Sequence, residues 1–231
     1  AGLLALRRWR PLRRRDAALL IVPALAFAVD LWMWHRSIRD IGPGLATLLG
    51  NFQVFIMALA GVVFYRERLG WRFLAGLALA FAGLWMLIGR GWSGFDAQYR
   101  VGVWLGIATG VAYAVYMLTF RQAQRGALAA TPVAQVLCVN SLICAAVLGL
   151  VALGERDSFA ISDVQSWASL LALGLFGQVL GWVLIAYAMP QLPASLVGLL
   201  LLLQPLLSFV LDVVLFARPT VALDWAGLAI S

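Results

Sequence analysis

Long apolar runs separated by short polar connections dominate the chain, and this pattern predicts helices that cross a membrane. A span needs roughly 20 apolar residues. Leucine-, alanine- and glycine-rich runs of this length do not alternate as barrel strands do, which excludes an all-β fold. Complete spans are predicted at residues 17–34, 44–65, 71–89, 101–120, 133–154, 164–189 and 194–216. Residues 3–6 and 221–231 are expected to belong to two further spans that continue beyond the sequence given.

Two segments, residues 43–76 and 193–227, resemble each other at an offset of about 151 positions, which indicates an internal repeat. In this alignment Gln53 corresponds to Gln204. The two copies lie five predicted spans apart, and because five is odd they are expected to cross the membrane in opposite directions. Inverted repeats are typical of secondary transporters. The predicted fold is therefore an all-α polytopic membrane protein built from inverted five-helix repeats, with ten spans in the intact chain.

Composition supports the membrane assignment and removes one alternative. Hydrophobic residues make up 64% of the chain and charged residues 12%, whereas soluble domains average about half and about a quarter. The net charge of +7 comes from 17 arginines, which lie at the ends of the apolar runs rather than on one polar face. The basic charge therefore does not indicate nucleic-acid binding.

The arginines also predict the orientation of the spans. If the basic stretch at residues 7–15 lies on one side of the membrane, 11 of the 17 arginines share that side and six lie on the other. Cytoplasmic loops carry the excess of basic residues. Residues 7–15 are therefore assigned to the cytoplasm, and the predicted location is the inner (cytoplasmic) membrane of a bacterium.

No enzyme or metal signature is present. The cysteines Cys138 and Cys144 lack zinc or redox spacing, and hydrolase, zincin and P-loop motifs are absent from the sequence. We therefore predict no catalytic residue, no metal ligand and no cofactor.

One stretch of the sequence resembles a known family. The segment VVFYRERLGWRFLAGLALAFAGLWML, in which Glu67 lies in a basic-acidic turn before Gly76 and Gly83, is similar to the EamA module of the drug/metabolite transporter (DMT) superfamily. The segment GVWLGIATGVAYAVYMLTFRQ is similar to the first helix of a second module. The second copy departs from the pattern, because residues 217–219 contain no glutamate where Glu67 lies in the first.

This resemblance implies two EamA-like repeats, at residues 1–89 and 101–231, joined by an external loop at 90–100. It also implies a central cavity between the halves, alternating access and a small-molecule substrate. The predicted function is a secondary transporter, in the direction of export, of small organic metabolites or drugs. Proton coupling and a homodimer are subordinate expectations. A membrane-embedded enzyme acting on lipids or isoprenoids and a non-transporting scaffold are the alternatives.

Polar residues inside the spans are the candidate substrate-binding residues, because a polar group in a bilayer needs a partner or a water-filled cavity. Asp30 lies about 20 Å along its span from residue 17, where a carboxylate is costly to ionise and would suit proton coupling. Asn51 and Gln53 point to nearly opposite sides of one helix. The repeat favours Gln53 for the cavity and the shared face of Thr47 with Asn51 favours Asn51, so both stay candidates.

Aromatic and amide residues complete the predicted site. Aromatic rings beside amides and one acid suit an amphipathic organic solute. Each has an alternative role in packing between helices or, for the tryptophans, in anchoring at the membrane interface. The remaining candidates are Trp34, Tyr113, Gln178, Trp182 and Gln204.

Two further patterns concern structure rather than substrate. Gly102, Gly106 and Gly110 recur every four residues, the small-residue spacing that lets helices approach closely. Glu67 is expected to pair with an arginine of its own turn and to cap the helix that follows.

Overall fold

The computed structural model describes residues 12–71, 73–79, 96–156, 160–161 and 163–201, and no strand occurs in these ranges. The helices are α1 (Arg14–Ala18), α2 (Ile21–Ile41), α3 (Pro43–Gly50), α4 (Gln53–Tyr65), α5 (Ala97–Arg125), α6 (Val133–Glu155), α7 (Val164–Ala172), α8 (Trp182–Ala188) and α9 (Ala194–Leu201). A π-helix at Leu173–Gly181 joins α7 to α8, and a 3-10 turn at Met189–Gln191 follows α8. Residues 71 and 73–79 are also helical.

Within the described residues, five helices are long and apolar enough to cross a membrane: Arg14–Ile41, Leu45–Tyr65, Ala97–Arg125, Val133–Glu155 and Val164–Gln191. The 21 residues of α2 alone rise about 31 Å, enough for the hydrocarbon core. The predicted fold class, an all-α polytopic membrane protein, is therefore confirmed. The predicted spans at residues 3–6 and 221–231, and most of the span at 194–216, lie outside the described residues.

Two helices extend beyond the spans that were predicted for them. The span predicted to end at residue 34 continues in α2 to Ile41, and the span predicted over 101–120 corresponds to α5, Ala97–Arg125. The predicted spans ended where charged residues follow the apolar run, whereas a helix keeps its backbone hydrogen bonds beyond the apolar layer. Arg36 shows how the charge is accommodated, because its guanidinium lies 4.3 Å from the ring centroid of Trp32 on the same helix.

The span predicted as one helix over 44–65 is interrupted between α3 and α4. The N–H groups of Phe52, Val54 and Phe55 donate to carbonyls three residues earlier, so the helix tightens locally. Asn51 contributes to this break, since its side-chain amide donates to the Thr47 carbonyl at 3.1 Å. Short polar side chains that bond nearby backbone groups compete in this way with regular helix geometry.

The described chain separates into two compact units, and both α2 and α5 pass through each of them. Unit 1 comprises residues 1–29 and 115–192, and unit 2 comprises residues 30–114 and 193–231. The chain thus enters unit 2 at Asp30, returns to unit 1 at Val115 and crosses again after Leu192.

Aromatic packing organises unit 1. The rings of Phe27 and Tyr116 stack with centroids 4.5 Å apart, and Trp182 lies edge-on to both, at 5.2 and 5.4 Å. Phe120 extends the group, 5.6 Å from Tyr116. Such pairs contribute about 0.5–1.5 kcal/mol beyond burial of their area, so α2, α5 and α8 meet at a rigid aromatic cluster.

Candidate functional site

Glycines on α5 determine how closely the helices of unit 2 approach one another. A Cβ added at Gly102 would lie 2.5 Å from Asp40 Cβ, and one at Gly106 would lie 2.9 Å from Leu49 Cβ. At Gly110 the obstacle is backbone, with the Gly50 carbonyl oxygen at 2.8 Å. The predicted close contact along this stripe is therefore present, and α2 and α3 both lie against α5.

The stretch of α5 around Gly110 brings two candidate residues to one place. The hydroxyl of Thr109 donates to the backbone carbonyl of Asp30 at 3.4 Å. The next residue, Gly110, is so close to α4 that an added Cβ would lie 2.9 Å from the backbone nitrogen of Gln53. Asp30 of α2 and Gln53 of α4 thus flank adjacent residues of the same helix.

Both side chains are buried, and the carbonyl oxygen of Gln53 is an acceptor that no described residue satisfies. Asp30 is 5% exposed and Gln53 is 3% exposed. Among the described residues, the Gln53 Oε1 atom is buried without a donor. Leaving a buried acceptor unsatisfied costs about 1–3 kcal/mol. The Gln53 oxygen can therefore accept from a donor that the described residues do not supply.

Tyr113 adds an aromatic ring to this neighbourhood. It lies one turn after Thr109 on α5, and it is near enough to interact electrostatically with the Asp30 carboxylate. Trp34, one turn after Asp30 on α2, is half-buried. Its ring packs edge-on against His35 at 5.2 Å between centroids, so the described contact of Trp34 is with its neighbour on α2.

Asn51 and Gln53 differ in burial and in hydrogen bonding, in agreement with the prediction that they point to nearly opposite sides of the helix. Asn51 is half-buried and its amide bonds back to the Thr47 carbonyl. Gln53 is buried at the first position of α4 with its carbonyl oxygen unpartnered among the described residues. The geometry of unit 2 thus favours Gln53 over Asn51 as a group with spare hydrogen-bonding capacity.

The two candidates of unit 1 do not share a face. Trp182 is half-buried in the aromatic cluster, whereas Gln178 is exposed within the π-helix. Residues four apart share a face of an α-helix, whereas the π-helix that contains Gln178 closes its hydrogen bonds from i to i+5 instead. Gln204, the repeat partner of Gln53, lies outside the described residues.

Unit 1 contains buried amides that the sequence reasoning did not select. Asn140, in the first half of α6, is 1% exposed and its Oδ1 atom has no donor among the described residues. Gln124 on α5 is also buried, with both amide atoms unpartnered in the same part of the chain. The rule that selected Asp30, a polar residue within an apolar run, would also have found Asn140.

Glu67 caps a helix that lies far along the chain. Its Oε1 atom accepts from the backbone N–H of Ala194 at 2.8 Å. Its Oε2 atom accepts from the N–H of Ser195 at 3.2 Å and from the Ser195 hydroxyl at 2.6 Å. Glu67 was predicted to cap a helix, and the helix whose N-terminus it caps in the structure is α9.

Two arginines hold the chain just before it enters α9. Arg121, which is buried, donates to the Leu192 carbonyl at 2.6 Å. Arg125 donates to the Pro190 carbonyl at 2.6 Å and to the Leu192 carbonyl at 3.3 Å. The turn after α8 is thus fixed within unit 1 by side chains of α5.

Comparison with known proteins agrees with this architecture. A solved structure, described only as the crystal structure of a protein, superposes with a TM-score of 0.74. It is 22% identical, and the match covers 99% of this chain and 78% of that one. The similarity shows a shared fold.

A curated relative from Haemophilus influenzae (strain ATCC 51907 / DSM 11121 / KW20 / Rd), named an uncharacterized transporter, is 25% identical over 105 residues. The match covers 45% of this chain and 34% of the relative, so the matched region spans about a third of that protein's length.

The resemblance seen in the basic-acidic turn extends over nearly the whole chain. The model of a family described as the EamA-like transporter family matches residues 2–89 and 100–231. The family resemblance inferred from the sequence is thereby confirmed: this chain is a multi-pass membrane protein that belongs to the EamA-like transporter family.

Proposed function

We propose that the protein is a secondary transporter that exports small organic metabolites or drugs across a bacterial cytoplasmic membrane by alternating access. In this proposal two inverted five-helix repeats, residues 1–89 and 101–231, rock about a central substrate pathway. Membership of the EamA-like transporter family and a bacterial relative named as a transporter support the class of activity.

The observation that carries the proposal is the pair of buried acceptors at Asp30 and Gln53, in helices otherwise apolar enough to span a membrane. Ionisable residues in such helices are rare and mark substrate or ion pathways. Both groups accept hydrogen bonds, so they favour a solute that presents donors, such as a protonated amine. Tyr113, which interacts electrostatically with Asp30, supplies an aromatic ring of the kind that an amphipathic solute would require.

Proton coupling forms part of the same proposal. A carboxylate in an apolar span is costly to ionise without a partner, so Asp30 is suited to hold a proton when the solute is absent and to release it when a cationic solute binds. Exchange of this kind links export of the solute to entry of protons.

A transport assay on the full-length protein tests this function. The protein is reconstituted in proteoliposomes and flux is measured for radiolabelled amino acids, nucleosides and aromatic amines, with and without a pH gradient. Asp30→Asn removes a charge-assisted bond to the solute and is expected to lower flux of the transported solute by about tenfold or more. The matched control is Asp40→Asn, near the end of the same helix, where asparagine can still accept the hydrogen bond from Gln98; this variant should retain flux within about twofold.

The outcomes separate the parts of the proposal. Loss of flux in Asp30→Asn with retention in Asp40→Asn supports the Asp30 site. Flux in Asp30→Asn that still responds fully to the pH gradient would contradict proton coupling through this residue. An absence of flux for every solute in the wild-type protein would count against this substrate range.

A further inference from the structure

The contact between Glu67 and α9 is built by several features of the chain acting together. Arg66 ends α4 with a φ of 53°, a left-handed conformation that is uncommon for a residue other than glycine. This reverses the chain, and the N–H of Glu67 donates back to the Gly61 carbonyl at 2.8 Å. The Glu67 side chain is therefore directed across the end of α4 rather than along the helix axis.

Gly61 is required for this arrangement. A Cβ added at Gly61 would lie 2.6 Å from the Glu67 Oε2 atom and 3.6 Å from Ser195 Cβ. The absence of a side chain at Gly61 leaves the space that the carboxylate occupies. The same carboxylate then satisfies two of the backbone donors that a helix N-terminus leaves free, at Ala194 and Ser195.

The capping carboxylate is unusual in origin. Helix caps normally come from the residue just before the helix, as Asp163 does for α7 by accepting from the Ser166 N–H at 2.7 Å. Glu67 instead lies 127 residues from Ala194 and joins the end of α4 to the start of α9. In the repeat alignment these helices belong to corresponding copies, so the bond ties one repeat to the other.

The second copy of the repeat has no glutamate at the position that corresponds to Glu67. The position of the second copy that corresponds to Glu67 lies in the segment Ala217-Arg218-Pro219, which contains no acid. The N-cap of α3, Gly42, makes no side-chain capping bond. In sequence, the two copies thus differ in this carboxylate, and the arginine distribution assigns the Glu67 turn to the cytoplasm.

We propose that Glu67 is a latch that holds α4 and α9 together at the cytoplasmic end and biases the protein towards the conformation closed on that side. This inference rests on the proposed alternating access, but it is tested without any transport measurement. Opening to the cytoplasm would break three hydrogen bonds, two of them to a helix N-terminus whose dipole favours the negative charge.

Cysteine accessibility measures the latch directly. In the full-length protein, Cys138 and Cys144, both free thiols, are replaced by alanine and a single reporter is placed by Val197→Cys. Val197 is 5% exposed and lies two residues after Ser195 on α9, which packs against α4. A membrane-impermeant maleimide is applied to inside-out vesicles, and the rate of labelling is recorded in each variant.

Glu67→Gln removes the charge and one acceptor, and it is expected to raise the labelling rate at position 197 by about tenfold. Ser195→Ala should raise the rate less, because the two backbone donors remain capped. The double variant should exceed Glu67→Gln only slightly, since both substitutions break the same contact. The matched control, Asp163→Asn, changes a cap that acts within its own helix and should leave the rate within about twofold.

Two results would overturn the latch. One is a labelling rate at position 197 that Glu67→Gln leaves unchanged. The other is an equal rise at a second reporter, Ala24→Cys, which is fully buried in unit 1. Equal rises would mean that Glu67 supports the fold as a whole. A rise confined to position 197 would support the latch even if no transported solute were found.

Discussion

Two glycine-bearing helices of this protein use their glycines in opposite ways. On α5, the glycines at 102, 106 and 110 lie where an added Cβ would collide with a neighbouring helix at 2.5–2.9 Å. In the π-helix, a Cβ at Gly174 would meet nothing within 4 Å, and at Gly177 the nearest atom is the end of its own helix's Leu173 side chain, at 3.3 Å.

The difference shows that glycine spacing alone does not identify a packing face. On α5 the glycines permit close approach, and the hydroxyl of Ser37 bonds the Gly102 carbonyl at 2.8 Å as a consequence. Along the π-helix the apolar side chains are exposed, among them Phe176 and Val179. Within the described residues, these glycines therefore set no distance between neighbouring helices.

The largest effect is expected for Gly110→Ala. Its new methyl group would meet the Gly50 carbonyl oxygen and the Gln53 nitrogen, and backbone atoms cannot rotate away as a side chain can. The free energy of unfolding should fall by about 1–3 kcal/mol, despite the better helix propensity of alanine. Unfolding of the detergent-solubilised protein, followed by tryptophan fluorescence, measures the change. An unchanged stability would contradict the close contact.

Gly177→Ala is the matched substitution in the other helix and should act in the opposite direction. With only a flexible side chain nearby, the methyl group is accommodated and the helix gains about 0.5–1 kcal/mol in unfolding free energy. The same unfolding experiment decides the sign. Destabilisation similar to that of Gly110→Ala would contradict the claim that only the glycines of α5 lie at a close helix contact.

The smallest effect concerns the start of α7, which is held by its own cap rather than by packing. The Ser166 N–H bond to Asp163 holds the pKa of that carboxyl below its ordinary value. Because the folded-state pKa is the lower one, the cap stabilises the helix above the ordinary pKa of about 3.9 and is lost as the pH falls through and below that value.

Hydrogen exchange of the Ser166 amide, corrected for the intrinsic rate, measures this local effect. Protection should decrease modestly between pH 6 and pH 3 in the wild-type protein. In Asp163→Asn, where asparagine still caps but does not titrate, it should stay constant. A parallel decrease in both proteins would assign the pH dependence to another group.

Much of the architecture was predictable from local pattern. Apolar runs predicted the spans, and the basic-acidic turn at Glu67 with its glycines predicted the family. Helix ends were less predictable, because α2 and α5 continue past the charged residues that border their apolar runs. The interruption at Asn51 and the π-helix also escaped prediction, since each depends on backbone hydrogen bonds that hydropathy does not register.

The candidate site was also predictable only in part. Asp30 was found because an acid within an apolar run is conspicuous in any sequence. The relation between Asp30 and Gln53 was not predictable, because α5 brings them together through Thr109 and Gly110. Asn140 was missed, although its sequence context is the same.

The sequence by itself determined that this chain is an α-helical membrane protein of its family, because membrane spans and family motifs are local and depend on neighbouring residues. Only the tertiary structure decided which glycines pack, whether Asn51 or Gln53 keeps spare hydrogen-bonding capacity, and which helix Glu67 caps. The reason is physical. The glycine contacts and the Glu67 cap join atoms that are distant in the sequence, up to 128 residues for the bonds from Ser195 to Glu67, and adjacent only when the helices are packed.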